Sequence, residues 1–264
     1  MKNLEKYGSC ALVAGAAEGL GAAFTNELAG QGFDLILVDK DESKLSKLAE
    51  SLREIYSLNI RTCVIELAEK ESAKKLMDLM QEAGCRLVIY NAAYGPVKKF
   101  LANSEEELHY YMDVNSRTPL LLIHSLALLK PGSESVGFLL MSSMAGMLGT
   151  NLVAPYSATK AFNLNLSEGL YYELKPGGFD IMACIAGATE TPNFRSTNPR
   201  KSRFSPTPMS PEQVAHEALG KLGKQAYYIP GFSNKLTIFF LFRVLGRKAA
   251  LRIMNSTMRS MYSE

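Results

Sequence analysis

The chain contains no tryptophan, only three histidines and only four cysteines in 264 residues. His109, His124 and His216 fall in segments of helical pattern without ligand spacing to one another, which argues against a histidine metal site or acid–base pair. Cys10, Cys63, Cys85 and Cys184 are widely separated, no Cys-x-x-Cys occurs, and each lies in or beside an apolar run. They read as free thiols in a reducing compartment rather than a zinc cluster or disulfide framework. An excess of one charge sign is lacking as well: the net charge of +3 is too small to argue for nucleic acid. The N-terminus has no apolar signal core, and the apolar run at 238–242 is far too short to span a bilayer. The expectation is a cytoplasmic protein.

What the chain does have is an alternating texture. Short apolar runs at 10–14, 34–38, 62–65, 87–90, 136–141, 181–185 and 226–229 read as strands, several apolar throughout, as strands covered on both faces should be. Between them, 20–31, 44–57, 70–83, 104–129, 155–174 and 211–222 read as helices. Ser104 before three glutamates, and Ser210-Pro211-Glu212-Gln213, are helix starts. Strands alternating with helices predict an α/β protein, a doubly wound parallel sheet in one domain. Two stretches break the pattern: 188–210, rich in Pro, Ser, Thr and Arg, and the tail after Gly231. The division expected is 1–232 for the sheet domain and 233–264 for a basic amphipathic tail.

The first strand runs into Gly15-Ala-Ala-Glu18-Gly19-Leu20-Gly21, and a helix follows. Glycines at a strand-to-helix turn let the backbone approach a pyrophosphate, and the helix N-terminus faces that charge. Asp39 ends the second strand, eighteen residues beyond Gly21. A carboxylate there accepts hydrogen bonds from an adenosine ribose and repels a 2′-phosphate. With Glu18 beside it, the site favours NAD over NADP. Lys40 is the dissenting residue, since it has the reach to meet a 2′-phosphate.

Tyr156 and Lys160 stand four residues apart in a helical segment, with Ser143 thirteen residues upstream of the tyrosine. An ammonium beside a phenol stabilises the phenolate and lowers a pKa that is about 10 in isolation. That makes a proton donor and acceptor usable near neutral pH, and a serine hydroxyl can hold the oxygen that exchanges the proton. On its own, Tyr-x-x-x-Lys is more often a solvated helix face; the glycine turn and Asp39 give it a context.

Taken in order, five motifs resemble the short-chain dehydrogenase/reductase family over roughly residues 8–230. They are Gly15-Ala-Ala-Glu-Gly19-Leu-Gly21, Asn91-Ala92-Ala93, Asn115, Ser143, and Tyr156-Ser-Ala-Thr-Lys160. The local text Tyr-Ser-Ala-Thr-Lys-Ala-Phe is similar to the bacterial hydroxysteroid dehydrogenases and 3-oxoacyl reductases. The resemblance implies a Rossmann sheet of seven parallel strands ordered 3-2-1-4-5-6-7. It makes Tyr156 the general acid/base and Lys160 its pKa-lowering partner and ribose ligand. Ser143 would orient the substrate oxygen, and Asn115 would hold a water linking Lys160 to solvent. Asn91 would support the central strand, Glu66 and Leu67 would flank the adenine, and Thr191 would meet the nicotinamide carboxamide after Gly187. The chain departs from the family at Ala93 (usually Gly), at Ala186 before Gly187 (usually Pro), and at Glu66 (usually Asp). The second departure removes a rigid φ from the loop that follows the sixth strand.

The expectation is therefore an NAD-dependent oxidoreductase acting on a secondary alcohol or ketone, assembled as a homodimer or homotetramer through 104–129 and 155–174. The apolar stretch 144–153 points to a lipophilic, steroid-like or fatty-acyl-like substrate. A binding-only regulatory or scaffold protein on the same fold is the alternative. Sugar-nucleotide epimerases rank lower, because only about 80 residues follow Gly187. Arg195, Arg200, Lys201 and Arg203 make 188–210 either a solvated loop or a lid for an anionic substrate. From 235 to the end there are six cations and one anion, Glu264. After Gly246, Lys248, Arg252 and Arg259 share one arc, opposite Ala250, Leu251, Met254, Met258 and Met261. That helix is read as lying on lipid or, by a small margin, as packing on the protein and roofing the substrate pocket.

Overall fold

Strands that are apolar on both faces need cover on both faces, and this chain supplies it with helices. The computed structural model describes residues 4–129, 134–200 and 206–262. Its strands are β1 (Cys10–Ala14), β2 (Asp34–Asp39), β3 (Ile60–Val64), β4 (Leu87–Tyr90), β5 (Val136–Ser143), β6 (Phe179–Ala186) and β7 (Tyr227–Tyr228). They form one seven-stranded sheet in the order β3-β2-β1-β4-β5-β6-β7. Every neighbouring pair is parallel, as expected. β1, β4 and β6 are buried along their whole length.

Helices α1 (Gly19–Gly30), α2 (Glu42–Ile55), α3 (Ser72–Glu82), α4 (Glu105–Met112), α5 (Thr118–Leu128), α6 (Ala154–Leu174), α7 (Pro192–Ser196) and α8 (Pro211–Leu219) fill the crossovers. One core packs Phe24 and Leu28 of α1, Leu45 of α2 and Leu219 of α8 on one face of the sheet. The other packs Leu76 and Met80 of α3 and Leu122 and Leu126 of α5 on the opposite face. The starts read from sequence hold in detail. Ser104 and Glu107 form a reciprocal capping box, and the Ser210 hydroxyl accepts the Gln213 N–H at 3.2 Å.

Between residues 104 and 129 the single expected helix is two, because a π turn over Asp113–Arg117 interrupts it. The interruption has local causes. The buried Tyr90 hydroxyl donates to the Val114 carbonyl at 2.7 Å, and the Arg117 guanidinium reaches the Ala68 carbonyl at 2.6 Å and Asp113 at 2.7 Å. β3 also begins two residues earlier than the apolar pattern indicated, since Arg61 lies on its exposed edge.

The chain leaves β1 toward β2 and leaves β4 toward β5, so the carboxyl ends of β1 and β4 open a crevice where ligands bind on such sheets. At the other end of the sheet, buried Asp180 of β6 is bound by Tyr7 at 2.7 Å, by Lys6 and by Lys175. Burial pushes its carboxyl up, but hydrogen bonds from Lys175, Lys6 and Tyr7 outweigh that and hold it below the usual range.

The tail forms α9 (Phe232–Phe239), a second π turn (Phe240–Val244) and α10 (Gly246–Tyr262). Ala250 and Met261 of α10 are buried, and Leu251 and Met254 pack with Leu148 and Leu241. The apolar face of α10 therefore lies on the protein. No helix among the described residues is long and apolar enough to cross a membrane.

Candidate active site

One cavity of about 880 Å³ follows the crevice from the glycine turn to the tail. It brings together every expected catalytic and cofactor-binding residue except Gly21 and Asn115, which stand just behind its wall. At its floor, Gly21 touches the turn so closely that a Cβ there would come 1.8 Å from the Gly15 carbonyl oxygen. The Asn91 amide braces the same carbonyl at 2.8 Å, and the Ala92 N–H donates to Ala14 at 2.9 Å. The turn is thus pinned from the end of β4, with Ala93 following on the cavity wall.

Asp39 ends β2 with its carboxylate on the cavity. It accepts the N–H groups of Ala17 at 3.0 Å and Asp41 at 3.1 Å, which fix its direction. Glu18 pairs with Lys44 at 2.8 Å. The reach of Lys40 turns out to be committed elsewhere. Its ammonium donates to the Tyr110 hydroxyl at 3.0 Å, and that hydroxyl donates to Glu66 at 2.8 Å. The hydrogen bond to Tyr110 raises the Lys40 pKa above its ordinary value. Sequence gave no signal for this chain, because Tyr110 sits in α4, far along the sequence from Lys40 and Glu66. Leu67 is buried beside Glu66, and its carbonyl accepts the Thr118 hydroxyl at 2.7 Å.

Ser143 closes β5, while Tyr156 and Lys160 lie in the first turns of α6. Burial pushes the Tyr156 phenol up, and a hydrogen bond with the Ser143 side chain pulls it part of the way back. Lys160 is buried; its ammonium donates to the Met141 carbonyl at 2.8 Å and lies 5.5 Å from the centre of the Tyr156 ring. Burial brings the Lys160 ammonium down to about 8. The sequence argument expected the lysine to lower the phenol. In the structure burial outweighs it, because the ammonium faces a carbonyl rather than the phenol oxygen.

Asn115, carried inward by the first π turn, is fully engaged by protein. Its amide oxygen accepts the Tyr94 N–H at 2.7 Å, and its NH₂ donates to the Tyr94 carbonyl at 2.8 Å and the Thr159 hydroxyl at 3.0 Å. It ties the loop after β4 to α6. Thr191 caps α7 by accepting the Phe194 N–H at 3.1 Å and packs against the glycine turn, while Gly187 lies against the Asn234 amide.

The far end of the cavity is apolar. Met144, Val153, Leu241, Ile253, Met254 and Met258 line it, so α9 and α10 supply its roof. The 192–200 segment joins that roof where the Arg200 N–H donates to Met261 and the Thr197 and Tyr262 hydroxyls meet at 3.1 Å. Arg195 approaches Glu190 at 3.7 Å; Lys201 and Arg203 lie outside the described residues.

A parallel sheet with this strand order and a glycine turn at its switch point define a doubly wound dinucleotide-binding fold. The short chain dehydrogenase family model matches residues 9–202, and the chain belongs to the short-chain dehydrogenase/reductase family. It is therefore an enzyme that binds NAD(P)(H) and interconverts alcohols and carbonyl compounds of small molecules. It is 29% identical over 231 residues to a 7beta-hydroxysteroid dehydrogenase of Clostridium sardiniense, covering 88% of each chain. It is 30% identical to a very-long-chain 3-oxoacyl-CoA reductase of Podospora anserina, covering 95% of this chain and 76% of that one. Among solved structures, a 7beta-hydroxysteroid dehydrogenase superposes with a TM-score of 0.83 at 27% identity, over 95% of this chain and 98% of the other. Similar folds have been solved with NADPH, in a Sphingobium yanoikuyae enzyme, and with NADH, in a Brucella melitensis reductase.

Proposed function

We propose that the protein transfers a hydride between NAD(H) and a lipophilic secondary alcohol or ketone, with Ser143, Tyr156 and Lys160 as the catalytic set. The observation that carries this reading is the convergence of Ser143, Tyr156, buried Lys160 and the braced glycine turn on one cavity with an apolar far end.

A dinucleotide fits the residues present. Gly15 and Gly21 at the floor have no room for a Cβ, Gly19 and Leu20 line the cavity beside them, Asp39 is aimed for ribose hydroxyls, and the amide-braced loop at Asn91, Ala92 and Ala93 leads toward Tyr156. When bound, the nicotinamide supplies or accepts the hydride. Tyr156 gives its phenolic proton to the carbonyl oxygen in reduction and takes it back in oxidation. Ser143 holds that oxygen by hydrogen bonding. Lys160 keeps positive charge beside the phenol and stabilises the phenolate as it forms. Asn115 positions α6 against the loop that carries Tyr94. The test is Tyr156→Phe, which removes the proton carrier and little volume. General acid–base catalysis is worth about 10²–10⁴-fold, so more than about a tenth of wild-type kcat remaining would overturn the mechanism.

The preference for NAD rests on Glu18, Asp39 and Glu66 facing the adenosine end, with Lys40 and Lys44 already paired. NADH is expected to bind at least about tenfold tighter than NADPH, about 1.4 kcal/mol, and titration of nicotinamide fluorescence measures it. Equal affinities would refute the preference.

Exposed Leu120, Leu121 and Leu128 on α5, with Phe162 and Tyr172 on α6, support a two-fold pairing of these helices into a dimer or tetramer. Monomers alone in light scattering would refute it. The assignment of residues 1–232 as the catalytic sheet domain and 233–264 as its lid, in a cytoplasmic enzyme, completes the reading.

A further inference from the structure

The apolar face of α10 is spent on roofing the cavity, but the tail carries a second apolar face that nothing covers. Phe232, Leu236, Phe240 and Val244 fall at successive four-residue steps through α9 and its π turn, with Phe239 beside Phe240. They form one outward stripe, with Phe232 80% exposed, Phe239 56%, Phe240 50% and Val244 58%. The opposite side of the same helix is turned inward, with Asn234 and Leu241 buried. Lys235 and Arg243 lie in phase with the stripe, and exposed Arg247, Lys248 and Arg252 follow it. Arg243, Arg247, Lys248 and Arg252 have no ion-pair partner among the described residues, although the chain forms such pairs freely elsewhere. No Asp or Glu occurs between Glu217 and Glu264.

We infer that this stripe docks the enzyme on an anionic lipid surface. Phenylalanine rings on a convex helix face enter the acyl boundary without needing a shaped groove, and cations beside them meet lipid phosphates and carboxylates. The charge pattern also discriminates against a second copy of the chain. A two-fold contact through this face would set cations against cations, with no Asp or Glu between Glu217 and Glu264 to relieve them. The helix that carries the docked face lines the cavity from its other side, through Thr237 and Leu241. Docking sets the apolar end of the cavity next to lipid. The surface argument stands on its own; only this last step rests on the lipophilic-substrate reading above.

The experiment is sedimentation of the full-length protein with vesicles of phosphatidylcholine alone or mixed with phosphatidylserine, at low and at high salt. The protein is expected to sediment with the mixed vesicles, to be released by salt, and to ignore the neutral ones. Phe239→Ala/Phe240→Ala and, separately, Arg243→Glu/Lys248→Glu are each expected to weaken partitioning by at least about tenfold. Both variants should keep the melting temperature and turnover of a small water-soluble ketone. The charge variant touches only exposed cations, so it keeps the test decisive where the apolar variant loses its fold. Absence of sedimentation at low salt, or equal sedimentation with neutral vesicles, would overturn the proposal. So would a change of oligomeric state on Phe239→Ala/Phe240→Ala, which would make the stripe a contact between copies. Turnover of the soluble ketone is read separately, so loss of catalysis and loss of lipid binding are distinguishable.

Discussion

The ring of Tyr156 lies over Gly95: a Cβ on that glycine would come 2.5 Å from Tyr156 Cδ2 and 3.0 Å from Cε2. The loop after β4, braced by Asn115, is therefore the surface on which the phenol rests. Gly95→Ala is expected to push the ring off its seat and reduce kcat by about 10–100-fold, as small displacements of reacting groups do. Binding of NADH, which engages the glycine turn and Asp39, should stay within about threefold. Steady-state kinetics and a cofactor titration on the same preparation check both, and unchanged kcat would mean that the loop yields instead of the ring.

Lys160 ties stability to function. Its folded-state pKa, brought down to about 8 by burial, lies below the roughly 10.4 of an exposed lysine. At pH 7 the folded protein therefore holds an ammonium at a cost. Between about pH 8 and 10.4 the unfolded chain binds more protons than the folded one, and stability rises with pH. Lys160→Met, similar in volume and uncharged, is expected to raise stability at pH 7 by about 1–3 kcal/mol while abolishing turnover. The gap should shrink toward pH 10. Thermal melts of both proteins across that range measure it, and a variant less stable at pH 7 would show that the hydrogen bond to Met141 outweighs the burial cost.

Tyr110 engages the Lys40 ammonium at 3.0 Å. Tyr110→Phe removes the oxygen that accepts from Lys40 and donates to Glu66. NADPH affinity is then expected to improve about fivefold relative to NADH, the worth of roughly one charge-assisted hydrogen bond in part-exposed surroundings. Parallel titrations with the two cofactors decide it. An unchanged ratio would indicate that Lys40 pairs directly with Glu66 once the phenol is gone.

Asn255 of α10 links the roof to the loop that follows Ser143. Its amide oxygen accepts the Asn151 N–H at 2.7 Å, and its NH₂ donates to Gly149 at 3.1 Å. Asn255→Ala leaves these backbone groups without protein partners and loosens the apolar end of the cavity. A loss of about 1–3 kcal/mol in stability is expected, together with a KM for bulky ketones raised several-fold and a smaller change for small ones. A uniform change across substrate sizes would indicate a purely structural role.

The strands and helices of the sheet, the glycine turn and the spacing of Tyr156 and Lys160 were legible in the sequence because they depend on local patterns, while the strand order came with the resemblance to the family. Apolar runs of strand length, glycines at one turn and a tyrosine and lysine one helical turn apart each declare themselves within a few residues. Tertiary structure decided what depends on contacts between distant segments. The π turn at Asp113–Arg117 forms because Tyr90 and Ala68 claim its backbone and side chains, and no periodicity in 104–129 reveals that. Lys40 looked free for a phosphate until Tyr110, seventy residues away, took its hydrogen bond. The phenol at Tyr156 rises rather than falls because the cost of burial, which the sequence does not contain, exceeds the help of neighbouring groups. The tail showed its amphipathic character in sequence, but which apolar face meets protein was fixed only by the hydrophobic contacts of Leu148, Leu241 and Ala250. Sequence sets which faces must be covered, and the three-dimensional packing chooses what covers them.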